Sequence, residues 1–306
     1  MTVAPHVAEA LASGRPVVAL ESTVLTHGLP RPANLALAHR LERAVSDAGA
    51  VPATVGVVDG CIVVGLDAAQ LERLANVAVD KATSWNLAAI VARNASAGTT
   101  VATTLHAAAA AGIAVFATGG IGGVHHEPFD ESADLAALAR YPVVTVSAGP
   151  KSVLNAAATL ERLETLGVPV LGWRSDRLAG FHVPLTELAL TVRVDEAAEV
   201  AAVLRTHRQL GLSGGVLVSQ SVDEGLDAAD VARWSRAARD EVHALGVRGK
   251  AVTPALLAAI AEGSAGATVA VNVRLLEANA RLAAAIAKAL ATGTATASAA
   301  DPQEVP

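Results

Sequence analysis

A single cysteine, Cys61, stands in a chain of 306 residues. No internal disulfide can form, so a reducing compartment, the cytoplasm, is expected. No Cys/His spacing matches a closed zinc site either. Positive charge is also scarce, 23 Lys and Arg against 29 Asp and Glu, for a formal net charge of −6. A chain without a global positive field is not expected to hold duplex nucleic acid, although a local phosphate pocket stays open. Long apolar runs are missing. Ala107 to Ala111 and Ala283 to Leu290 are too short or too interrupted to cross a bilayer, so no membrane partner is expected. Met1 to Pro16 carries Glu9 before any Lys or Arg and has no basic segment ahead of a long apolar run, which argues against a signal peptide. What the chain has in quantity is small apolar side chains: 52% of residues are hydrophobic and 17% charged. That is far from disorder and suits buried parallel strands beneath closely docked helices.

Short apolar segments alternate with helical ones. Pro16 to Leu20, Ala53 to Val58, Cys61 to Val64, Ile113 to Ala117, Val143 to Val146, Pro169 to Trp173, Leu188 to Val192 and Gly215 to Val218 read as strands. Asp59-Gly60 between the second and third predicts a hairpin turn. Helices are expected over Asn34–Ala48, Ala68–Ala75, Asn86–Arg93, Thr99–Ala110, Ala133–Ala139, Glu196–Leu210, Ala228–Leu245, Pro254–Ile260 and Val269–Leu290, and another helix carries Lys151 and Asn155. Lys81 opens a polar stretch. The pattern predicts a doubly wound α/β protein with one catalytic domain over residues 1–291 and a flexible tail over 292–306.

Four features carry chemistry. Thr118-Gly119-Gly120-Ile121-Gly122-Gly123 follows a strand, where α/β proteins place ligand loops. It matches neither the Walker pattern nor the dinucleotide fingerprint, so it is either a phosphate-binding loop or a tight turn requiring positive φ. Lys151 follows a strand at the start of a helix, where dipole and desolvation both disfavour its charge and free the amine as a nucleophile; a solvated surface lysine is the alternative. Glu21 ends the first strand, as a structural carboxylate or as an acid/base. Asp130 and Asp134, four residues apart, sit near His125 and His126. They could cap a helix or hold a hydrated Mg or Mn ion. Trp85 and Trp173 are core or substrate-facing.

Taken in order, Ala19-Leu20-Glu21-Ser22-Thr23 with His27-Gly28, Val51-Pro52-Ala53-Thr54, Gly98-Thr99-Thr100-Val101, the glycine loop with Val124-His125, Phe129-Asp130 with Ser132-Ala133-Asp134-Leu135, and Ser147-Ala148-Gly149-Pro150-Lys151-Ser152 resemble the pseudouridine-5′-phosphate glycosidase family. The resemblance covers about Pro16 to Ala283. It implies a three-layer α/β/α sandwich around a mixed, mostly parallel sheet, a homotrimer, and a divalent Mn or Mg ion. It further implies that Lys151 forms an iminium with ribose C1 while Glu21 shuttles protons, and that Asp134 holds the ion through water. Lys81, Thr118, His125 and Ser132 would hold the sugar phosphate. Thr100, Val101 and the catalytic Asn272 would lie near the aromatic base. A C-glycosidic bond has no leaving oxygen to protonate, so a two-carboxylate scheme does not serve, whereas an iminium provides an electron sink at C1.

The sequence also departs from the family pattern. Trp85 and Asn86 stand where an Arg-Asp pair is usual, His126-Glu127-Pro128 is a shorter and less basic loop, Pro150 replaces a small residue, and His182 to Thr186 replaces a serine-rich segment. Fewer paired donors should weaken selection for a polar nucleobase, and a pocket-facing Trp85 could stack on a larger ring. On these grounds the sequence favours a C-glycosynthase joining ribose 5-phosphate to an aromatic carbon. It resembles the offshoot of the family that works on an aromatic polyketide in alnumycin antibiotic biosynthesis. A glycosidase releasing uracil is the alternative, and a non-enzymatic binding or structural protein on the same fold is a third reading.

Overall fold

Alternate residues along the central strands are buried on opposite sides, and this sets the layering. In a computed structural model, which describes residues 1–126, 130–247 and 252–297, the elements run β1 (Thr2–Val3), α1 (Pro5–Ala12), β2 (Val17–Glu21), α2 (Thr23–His27), α3 (Ala33–Asp47), β3 (Val51–Val58), β4 (Cys61–Val64), α4 (Ala68–Asn76), β5 (Asp80–Ala82), α5 (Leu87–Ala92), β6 (Ala97–Thr99), α6 (Val101–Ala111), β7 (Val115–Ala117), α7 (Ala133–Arg140) and β8 (Val144–Ser147). Then follow α8 (Ala156–Thr165), β9 (Val170–Trp173), β10 (Arg177–Gly180), β11 (Val183–Ala189), β12 (Val192–Val194), α9 (Ala197–Gln209), β13 (Val216–Gln220), α10 (Ala228–Ala244), α11 (Val252–Gly263) and α12 (Ala267–Ala297).

One sheet has the order β1-β4-β3-β2-β7-β8-β13-β9-β12, with β6 and then β5 branching from β3. All its pairings are parallel except β3 with β4 and β3 with β6. Val18, Leu20, Val115, Ala117, Val216 and Val218 face a core closed by α3, α9 and α12. Val17, Ala19, Phe116 and Leu217 face the opposite core, under α1, α6, α7 and α8. Both faces are thus covered, as the uninterrupted apolar strands require, and the mixed, mostly parallel α/β/α sandwich is the architecture the sequence implied. The Asp59-Gly60 turn closes the β3–β4 hairpin with both residues at positive φ, 48° and 75°.

Several local expectations are corrected. Lys81 lies within strand β5, because parallel pairing with β6 overrides its polar context. Lys151 does not open a helix: α8 begins only at Ala156, capped by the Asn155 side chain, so the helix-dipole argument for this amine lapses. Helix α12 runs to Ala297, past the point where a tail was expected, and residues 298–306 lie outside the described residues. Phe129 and the Glu127-Pro128 part of the shortened loop also lie outside them. Among the described residues no single helix is long and apolar enough to cross a membrane.

Candidate active site

The C-terminal ends of β2, β7 and β8 converge on a cavity of about 370 Å³. Crevices form there because successive parallel strands release their chains to opposite sides of the sheet. Glu21 enters from the end of β2, Thr118 to Gly120 from beyond β7, and Lys151 from the loop after β8. Lys81 comes from β5, and Asn272 from α12. One wall is apolar, built from Val24 and Leu29 on one side and Leu257, Ala258 and Ala261 of α11 on the other.

Glu21 is the electrostatic centre of the cavity. Its Oε1 accepts a 2.5 Å hydrogen bond from Thr118 Oγ1. Enclosure by protein pushes its pKa up, and the Asp134 charge adds to this. The Lys151 charge, the Thr118 bond and the Lys81 charge pull the other way without cancelling the effect. A carboxyl group so placed keeps its proton to higher pH than an exposed one and can deliver it to a substrate atom. The Asn272 amide adds a polar group: its Oδ1 is buried without a protein partner. A buried acceptor left unpaired is costly, and a bound ligand can satisfy it.

The glycine loop is shaped by close packing. None of its four glycines adopts positive φ. A Cβ at Gly120 would meet the Phe181 ring, and one at Gly122 would meet Ser132 and Asp134. The Ile121 N–H donates to Gly149 O and the Gly122 N–H to Asp134 Oδ2. Asn279 Nδ2 donates to Thr118 O at 2.8 Å, fastening α12 to the loop.

Five of the expected residues therefore share the cavity: Glu21, Lys81, Thr118, Lys151 and Asn272. The others stand outside its lining. Trp85 is 79% exposed, on a turn fixed by Asn86 Oδ1 accepting from Thr83 N at 2.7 Å. Thr100 caps α6 and donates to Ala82 O, while Val101 is buried in the core. Ser132 caps α7, and His125 Nδ1 lies 3.9 Å from Asp130 Oδ2.

Asp134 is buried, with Oδ1 accepting from Ala102 N at 3.1 Å and Oδ2 from Gly122 N at 2.8 Å. Both carboxylate oxygens are thus engaged in tying the first turn of α6 to the glycine loop. Each oxygen thus has one acceptor site taken by backbone, and Asp130, whose side chain is 44% exposed, is the freer carboxylate. Among the described residues no three His, Cys, Asp or Glu side chains converge. Sequence reasoning gave no role to His27, His182 or the α11 wall, all of which line the cavity. His182 was visible only as a departure from a family pattern.

Known proteins resemble this chain in sequence and in fold. The chain is 54% identical over 272 residues to a pseudouridine-5′-phosphate glycosidase of Thermus thermophilus, covering 89% of this chain and 96% of the relative. It is 53% identical over 289 residues to one of Salinispora tropica, covering 92% and 89%. The crystal structure of the prealnumycin C-glycosynthase AlnA in complex with ribulose 5-phosphate superimposes with a TM-score of 0.89 at 37% identity, covering 96% of this chain and 98% of that one. An indigoidine synthase A-like protein of Thermotoga maritima gives 0.86 at 34% identity, covering 91% and 94%. Fold and site thus define an enzyme that cleaves or forms a C-glycosidic bond. Residues 6–289 match the family described as indigoidine synthase A like protein, and the chain belongs to that family.

Proposed function

We propose that the protein is a pseudouridine-5′-phosphate glycosidase, releasing or condensing uracil and ribose 5-phosphate. This reverses the preference for a synthase. That preference rested on fewer paired donors and on a pocket-facing Trp85; Trp85 is 79% exposed and outside the cavity lining, and identity to the glycosidases exceeds that to the C-glycosynthase. The observation that carries the reading is the meeting of Lys151 with a protonatable, enclosed Glu21 in one cavity.

In the cleavage direction the Lys151 amine attacks ribose C1. The C1–O4 bond breaks, and O4 takes a proton. Glu21 then protonates the base carbon attached to C1, while the nitrogen lone pair forms the C1=N bond and the C–C bond breaks, releasing uracil. Water adds to the iminium, and the free amine and ribose 5-phosphate aldehyde are restored. The same steps in reverse form the C–C bond. Lys81 and Thr118 would hold the sugar phosphate, with Asn272 Oδ1 accepting from a bound N–H or O–H. A hydrated Mn or Mg ion would rest on Asp130, held mostly by water, and would offset phosphate charge when bound. A homotrimer acting in the cytoplasm belongs to the same reading.

Incubation with pseudouridine 5′-phosphate should release uracil, read by chromatography, and borohydride with ribose 5-phosphate should trap an adduct on Lys151 by mass spectrometry. A folded protein that forms no Lys151 adduct would defeat the iminium mechanism. Adduct formation without uracil release would return the synthase reading.

A further inference from the structure

Two aromatic residues fill the tight turn between β10 and β11. Gly180 pairs with Val183, leaving Phe181 and His182 as a two-residue hairpin loop. Such loops ordinarily carry Gly, Asn or Asp, because a central residue must adopt positive φ. Here Phe181 holds φ at 65°, a conformation sterically unfavourable for a bulky L-residue. Both residues are buried, at 2% and 3% exposure. Strain of this kind persists where surrounding contacts over-determine it, and it clusters at ligand sites.

Those contacts are specific. The Phe181 N–H donates to Ala148 O at 2.9 Å, and Leu226 N donates to His182 O at 2.8 Å. The two aromatic rings lie 4.5 Å apart. His182 Nδ1 is 2.9 Å from the Oγ of Ser152, the residue after Lys151. With Nδ1 engaged there, Nε2 is the ring nitrogen available to a molecule in the cavity that His182 lines with Lys151 and Lys81. Burial pushes the His182 pKa down to about 4. At neutral pH the ring is therefore uncharged.

We propose that His182 is a sugar-binding residue: Ser152 Oγ–H donates to Nδ1, the ring proton resides on Nε2, and Nε2–H donates to a hydroxyl oxygen of the bound pentose 5-phosphate. The proposal rests on the reading of the cavity as a pentose phosphate site. It gives a role to a segment, His182 to Thr186, in which the chain departs from its family's pattern. A neutral donor suits a sugar hydroxyl held through ring opening, whereas the Lys81 ammonium matches the phosphate charge.

The test compares wild type with His182→Phe, His182→Gln and His182→Asn. Ribose 5-phosphate is titrated calorimetrically, and kcat and KM are measured for uracil release from pseudouridine 5′-phosphate. The Gln amide nitrogen falls near the position of Nε2, and that of Asn near Nδ1. His182→Phe should weaken ribose 5-phosphate binding about tenfold, the loss expected for one hydrogen bond in a closed site. Gln should restore most of that affinity and lower KM toward wild type, and Asn should not. Binding by His182→Phe as tight as wild type would overturn the proposal. So would rescue by Asn but not by Gln, since the ring would then only anchor the Ser152 turn. If His182→Phe does not fold, the order of Gln and Asn decides alone. Wild type that binds ribose 5-phosphate without releasing uracil removes the glycosidase reading, and the order of the variants still decides this one. Wild type that does not bind ribose 5-phosphate removes both.

Discussion

Acidification should destabilise this protein through His182, and the size of the effect follows from its burial. The ring is 3% exposed, and its pKa is pushed down from 6.5 to about 4. Between those values the unfolded chain binds the proton that the folded chain refuses. The contribution is therefore fully present above pH 6.5 and is lost as pH falls toward 4. A difference of roughly 2.5 pH units, at about 1.36 kcal/mol each, gives about 3 kcal/mol across that window. This is a large part of the roughly 5–15 kcal/mol by which domains are ordinarily stable. Glu21 has the opposite sign. Its folded pKa is raised above 4.5, so its contribution is present below 4.5 and is lost as pH rises through the folded value. Comparing wild type with His182→Gln cancels that term, since both chains keep Glu21. Urea denaturation of the two proteins from pH 7 to pH 4 should show the variant gaining about 3 kcal/mol on wild type as pH falls. Parallel stability curves would show that the folded ring accepts a proton as readily as the unfolded one, and the burial argument would fail.

Glu21→Gln should lower kcat for uracil release by about 10²–10⁴-fold, with ribose 5-phosphate affinity within a few-fold of wild type by calorimetry, because it removes the proton donor and keeps the shape. In wild type, kcat should fall as pH rises through the raised Glu21 pKa, since only the protonated acid donates; a pH–rate profile flat on its alkaline side would contradict the assignment. Asp134→Ala should lower unfolding stability by about 3 kcal/mol, read from the denaturation midpoint, because two buried N–H groups lose a charged acceptor. Trp85→Ala should leave KM within about twofold of wild type, as an exposed side chain away from the cavity makes no contact to lose; a tenfold rise in KM would place the indole at the site after all.

Much of this architecture was legible in the chain itself. Uninterrupted apolar strands required cover on both faces, and α3, α9 and α12 against α1, α6, α7 and α8 provide it. Asp59-Gly60 announced the β3–β4 hairpin through residues that accept positive φ. Glu21, Thr118 and Lys151 could be placed together because each follows a strand at its C-terminal end, and neighbouring parallel strands bring such ends to one crevice. These are local or nearest-neighbour properties, and periodicity and turn chemistry record them.

What only the tertiary structure decided depends on contacts between segments distant in the chain. Asp134 reads as a metal ligand in sequence, yet its oxygens meet the N–H groups of Ala102 and Gly122. Trp85 reads as a stacking platform, yet its turn leaves it in solvent. His182 carries no motif. Its character comes from a strained turn that buries it against Phe181 and joins it to Ser152, 30 residues earlier in the chain. Sequence determines which groups a chain carries and on which element each rides. Whether a group's polar atoms meet protein, water or substrate is fixed by three-dimensional packing, because the free energy of a charge or hydrogen bond depends on its surroundings.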